Sequence, residues 1–128
     1  MKTNRHAFSV VELLVAILVL TVGFFALYDL LTASMKQKRA IEQTRWALTI
    51  AESEIEHLRA TDFTKLTPQQ DGAFLAPITT LAQLPDAAAT LTIRERSPRL
   101  KEIIVTVRWK PAHRSQQITL STLIAQTP

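Results

Sequence analysis

Glu12 is the residue of this chain best placed to do chemistry. It sits alone among apolar neighbours in Ala7-Phe8-Ser9-Val10-Val11-Glu12-Leu13, and after it no charge appears until Asp29. A charged side chain at the centre of a bilayer costs about 2.5–3.5 kcal/mol on insertion scales, less near an interface, so such a group usually has a partner. Two chemistries fit. One turn into a helix, Glu12 reaches the headgroups and is favoured by the positive end of the helix dipole. If the chain instead began at Phe8, Glu12 would stand four residues from a new α-amino group and could pair with an ammonium, in its own subunit or a neighbour's. The residues by themselves leave both open.

Other reactive residue types do not converge. Glu52, Glu54 and Glu56 fall at i, i+2 and i+4, so Glu52 and Glu56 share a helix face while Glu54 points away; a solvated helix surface is expected. His6, His57 and His113 are scattered and flank no carboxylate pair at metal spacing. There is no cysteine, no glycine-rich phosphate loop and no Ser–His–Asp constellation. No catalytic residue, metal or cofactor is expected, and the chain does not read as an enzyme. The formal charge is +4, and the C-terminal third holds most of the excess. Arg94, Arg96, Arg108, Lys110 and Arg114 offer a basic surface for an acidic protein partner or, as the weaker reading, for DNA phosphates. Arginines alternating on exposed strands are also ordinary solvated chemistry.

These residues need elements to hold them. Residues 8–31 provide the roughly 20 apolar positions that a helix requires to span hydrocarbon. A secretory signal is the rival reading, but its apolar core is about 7–15 residues and ends at a small-x-small site, whereas this run continues through Phe24, Phe25 and Tyr28. Lys2 and Arg5 place the N-terminus in the cytoplasm; Lys36, Lys38 and Arg39 oppose that bias from farther away. The helical pattern then continues without Gly or Pro over residues 29–60, with Ile41, Leu48, Ala51, Ile55 and Leu58 on heptad positions a and d. One helix over about residues 8–60 is expected, its first half apolar all round and its second half, 32–60, amphipathic.

Residues 61–89, with Pro68, Pro77, Pro85 and Gly72, read as a connecting loop with room for a short turn of helix or strand. From Thr90 the period becomes two. Leu91 and Ile93, then Ile103, Val105, Val107 and Trp109, then Ile118 and Leu120 alternate with polar or outward neighbours, predicting three antiparallel strands over residues 90–124. Ser97-Pro98-Arg99 and residues 111–115 are the hairpin turns. A three-stranded sheet with one apolar face needs a cover, and the helix stripe can supply it. The fold class is α+β.

A short basic leader, a small residue, and Phe-x-x-x-Glu followed at once by an apolar run resemble the class III signal of type IV prepilins and type II secretion pseudopilins. The resemblance implies a leader of residues 1–7, cleaved between Ala7 and Phe8 by a membrane prepilin peptidase that then methylates the amine of Phe8. Ala7 stands where glycine is usual and is its nearest substitute, so slower processing is expected. The passages Ala51-Glu52-Ser53-Glu54-Ile55-Glu56-His57-Leu58-Arg59, Ile103-Ile104-Val105-Thr106-Val107-Arg108-Trp109 and Ile118-Thr119-Leu120-Ser121-Thr122-Leu123-Ile124-Ala125 are similar to small minor pilins of the PilV type and to I-type pseudopilins.

The implied fold is pilin-like, a spine helix on an antiparallel sheet. Residues 8–31 would anchor and assemble, and 32–128 would form a periplasmic head. The implied role is a minor pilin or pseudopilin of the bacterial inner membrane, passing into a pilus or pseudopilus. Glu12 would serve assembly by pairing with the free amine of an adjacent subunit. Partners would be other pilins or pseudopilins, the prepilin peptidase and the inner-membrane assembly platform. Two alternatives remain: a single-pass anchored adaptor that does not polymerise, and a competence pseudopilin contacting DNA.

Overall fold

The computed structural model describes residues 9–75 and 81–127. One long N-terminal helix is followed by a four-stranded antiparallel sheet in the order β1-β2-β3-β4. Helix α1 is Val10–Ala60; the strands are β1 Gln69–Gly72, β2 Ala88–Ser97, β3 Leu100–Trp109 and β4 Gln116–Ala125. Single 3-10 turns lie at Phe63–Lys65 and Leu81–Gln83. Two compact units divide the chain, Met1–Arg39 and Ala40–Pro128.

Helix α1 starts at a cap. The Ser9 hydroxyl accepts the Val11 N–H at 3.3 Å and the Ser9 carbonyl accepts that of Leu13 at 3.1 Å, satisfying donors that a helix N-terminus leaves open. At the other end Thr61 N–H bonds the Leu58 carbonyl at 3.2 Å, an i−3 bond that tightens and closes the last turn. Between these points no proline interrupts the ladder.

The buried face of α1 is Ala47, Ile50, Ala51, Glu54, Ile55 and Leu58. The heptad reading is corrected at two positions: Ile41 is 53% exposed and Leu48 39%. An α-helix drifts about 20° per heptad against a strict seven-residue repeat. Counting back from Ile55, Leu48 is turned once and Ile41 twice out of contact, and Ala47 and Ile50 take their place.

The sheet's inner face is written in its register. Leu91 pairs with Val105 and Val105 with Leu120; Ile93 pairs with Ile103 and Ile103 with Thr122; Ala89 pairs with Val107 and Val107 with Ile118. These side chains and the α1 face form one core with Leu66, Leu84 and Trp109. The opposite face carries rows such as Thr90–Thr106–Thr119 and Arg94–Glu102–Leu123.

The expectation of three strands is corrected to four. β1 lies inside the stretch read as a connecting loop and pairs antiparallel with β2, Gln69 opposite Ile93 and Gly72 opposite Leu91, with a register shift between. Its sequence, Gln-Gln-Asp-Gly, has no apolar alternation, so backbone pairing alone makes it a strand. The β3–β4 hairpin turns on Ala112 and His113, both at positive φ (44° and 69°), with Arg114 N–H donating to the Pro111 carbonyl at 3.0 Å. Two consecutive positive φ values identify a type I′ turn, whose twist suits a two-residue hairpin.

Candidate functional site

The surface of α1 from Val10 to Leu31 is the feature with the most to do. Every residue over 10–31 is exposed, and large apolar side chains point to all sides of the helix. α1 is long and apolar enough to cross a membrane. Each large apolar side chain moved from water to hydrocarbon contributes about 1.5–3 kcal/mol. The run therefore outweighs, several-fold, the roughly 3 kcal/mol that each of its two carboxylates, Glu12 and Asp29, costs at most.

The threonines of this part of the helix are satisfied locally. The Thr21 hydroxyl donates to the Ile17 carbonyl at 2.7 Å and that of Thr32 to the Tyr28 carbonyl at 2.9 Å, so neither presents an open donor to lipid. Glu12 is the acid of the first turn. Ser9 and Glu12 have the spacing of a capping box, but the Ser9 hydroxyl accepts from Val11 N–H, the second position of the helix, so it acts as a simple N-cap. Among the described residues Glu12 makes no ion pair within its own chain. Its carboxylate thus stands at the positive end of the helix. Ala7 and Phe8, the residues expected to be processed, lie outside the described residues.

The five basic residues singled out from sequence are brought together as two groups. Arg94 and Arg96 lie towards the β2–β3 turn, where Arg94 pairs in register with Glu102 and the Arg96 guanidinium contacts the Glu102 carboxylate at 2.7 Å. Arg108, Lys110 and Arg114 gather around the β3–β4 hairpin, and all three are exposed. Arg108 is six residues along β3 from Glu102, which is roughly 20 Å at a strand's rise per residue. The first group is partly neutralised and the second is not.

Two charged residues belong to the core, and one of them, Glu54, was expected on a solvated helix surface. Glu54 is fully buried, not solvated: it shares the α1 face of Ile50, Ala51 and Leu58, and its Oε1 accepts the Leu75 N–H at 2.7 Å. Lys101, counted with the basic residues of the C-terminal third, is 8% exposed. Its ammonium donates to the Phe63 and Leu66 carbonyls, both at 2.7 Å, and lies 4.2 Å from the Phe63 ring centroid. The signal for Lys101 was its parity with Ile103 and Val105; for Glu54 it was the i+3 and i+4 spacing from Ala51 and Ile50. Both residues tie the segment between α1 and β2 to the core. At the end of α1, Arg59 pairs with Glu56 at 2.9 Å and donates to the Thr122 hydroxyl at 3.3 Å, joining the helix to β4.

Comparison with family models, with curated proteins and with solved structures gives no match to this chain.

Proposed function

We propose that this chain is a minor pilin or pseudopilin. In this reading it is an inner-membrane precursor with a cytoplasmic N-terminus, cut between Ala7 and Phe8 by a prepilin peptidase and methylated on Phe8. Its helix then packs with those of other pilins in a type IV pilus or a type II secretion pseudopilus. The observation that carries the reading is the exposed apolar surface of α1 with one carboxylate, Glu12, in the first turn and no ion pair to it among the described residues. Leader-like residues directly before it, and an antiparallel sheet that follows it, add support.

The chemistry follows from the cost of burial. A carboxylate and an ammonium each lose several kcal/mol on leaving water, and their attraction in a low dielectric offsets this only when they meet. Glu12 of one subunit and the Phe8 amine of the next would meet in one register. A slip of one helical turn, about 5.4 Å, would part them. The pair therefore selects the register while the apolar surface supplies the adhesion.

The test is Glu12→Val, assayed for membrane insertion, leader removal and recovery in sheared filaments alongside the chain's own assembly system. Insertion and cleavage are expected to persist and filament incorporation to fall at least about 100-fold, because the neighbour's amine is left buried and alone. Undiminished incorporation removes the role assigned to Glu12. A second reading, the anchored adaptor that never polymerises, shares the membrane surface and differs here: Glu12 would then only meet headgroups, and no filament would contain either form.

A further inference from the structure

The two edges of the sheet are unlike. β1 is four residues long, shifts register against β2, and carries Asp71 at a φ of 48° with its N–H on the Thr92 hydroxyl. Short, irregular and charged edges are the ones that refuse a further strand. β4 has none of these devices. Its ten residues, Gln-Gln-Ile-Thr-Leu-Ser-Thr-Leu-Ile-Ala, stay in register with β3 from end to end and contain no charge and no proline.

One hydrogen bond fixes which of its backbone groups are turned outward. Gln126 N–H donates to the Arg99 carbonyl at 2.9 Å, continuing the register in which Ala125 faces Leu100. Backbone groups in an antiparallel ladder alternate sides. Ile118, Leu120, Thr122 and Ile124 thus turn their N–H and C=O to β3. Gln117, Thr119, Ser121, Leu123 and Ala125 turn theirs to the open edge, where no strand lies among the described residues. Such a row, repeating about every 6.8 Å, is matched by an extended backbone. On the inner face Ile118, Leu120 and Ile124 are only half-buried, whereas their β3 neighbours Val105 and Val107 are fully covered.

We propose that β4 is a strand-addition site, whose free edge takes up an extended, uncharged segment of a partner protein with apolar residues at alternate positions. Backbone hydrogen bonds would hold the segment, and its apolar residues would continue the rows of Ile118, Leu120 and Ile124. The absence of charge on β4 gives a charged segment nothing to pair with. A symmetric β4–β4 pairing of two copies would run their helical segments over residues 47–58 in opposite directions. Chains inserted in one membrane from the same side disfavour this, a step that rests on the anchored reading above; the occupant is therefore a strand of another protein.

The test supplies such a strand in cis. The chain, in detergent, is extended after Thr127, the next residue whose backbone faces the open edge, by Asn-Gly in place of Pro128, which favours a type I′ hairpin, and by about twelve residues of repeating Thr-Val. In the extended chain the amides of Gln117, Thr119, Ser121 and Leu123 are expected to exchange with solvent at least about 100-fold more slowly than in the parent. Tm is expected to rise by about 5 °C or more. Ser121→Pro removes an edge-facing N–H and none from the β3 ladder; it should leave the parent Tm within about 2 °C and cancel most of the gain. Edge amides that stay fast in the extended chain overturn the proposal. Edge amides already slow in the parent overturn it as well: in a dimer the occupant is a second copy, and in a monomer the chain covers its own edge. None of these outcomes depends on leader cleavage, so a failure here is separable from a failure of the pilin reading.

Discussion

Glu54 and Lys101 show one physical rule from opposite signs. Each charge lies in the core because the period of its element puts it there, 3.6 for the helix and two for the strand, and each is met by backbone groups of the segment joining α1 to the sheet: Leu75 N–H for the carboxylate, the Phe63 and Leu66 carbonyls for the ammonium. A buried charge left without partners costs far more than it returns when paired. Glu54→Ala is therefore expected to lower stability by about 1–3 kcal/mol, the cost of an unmet buried donor, with Glu54→Gln losing less because an acceptor remains. Lys101→Met, which keeps the stem and removes the donor, should cost a similar amount. Urea unfolding in detergent, followed by near-ultraviolet circular dichroism, measures both; a midpoint unchanged in Glu54→Ala would contradict the anchoring role. Residue types alone pointed the other way, to solvent, and the pairing that reverses this lies 21 and 38 or 35 residues away in the chain.

At the scale of elements, the legible parts are those whose side chains repeat. The long helix, the alternation of Leu91 and Ile93 and of Ile103 to Trp109, and the antiparallel order of β2, β3 and β4 follow from period. Ile41 and Leu48 were misplaced because a seven-residue repeat was imposed on a helix that turns every 3.6 residues. β1 was missed because Gln69-Gln70-Asp71-Gly72 pairs through backbone alone. The β3–β4 hairpin adds a cost that sequence also left unseen: Ala112 and His113 both occupy the left-handed region, at about 1–2 kcal/mol each for a residue with a Cβ. Replacing them with the pair that this turn favours, Ala112→Asn with His113→Gly, is expected to stabilise the protein by about 1–2 kcal/mol. A higher urea midpoint with an unchanged slope bears this out, and a lower midpoint would show that the two side chains contribute something the turn geometry does not reveal.

For the whole molecule, residues 47–58 of α1 serve a conventional core while residues 10–31 are apolar and exposed, and one helix contains both. The apolar half of α1 is covered by none of the described residues and is long and apolar enough to cross a membrane; in the proposed function it sits in a bilayer and then among the helices of neighbouring subunits. In the proposed function Glu12 gains its meaning at this scale, since no described residue of its own chain supplies its counter-charge. That much could be read from the order of residues over 8–31, whereas Ala7 and Phe8 act, in this account, on an enzyme and a neighbour that the chain's own structure does not contain. The most direct measurement is the intact mass of the membrane-extracted protein produced together with a prepilin peptidase. The account predicts the mass of residues 8–128 plus one methyl group. The mass of the full chain, with the same peptidase shown to process another prepilin in the same cells, would contradict it and leave the anchored adaptor as the reading of this protein.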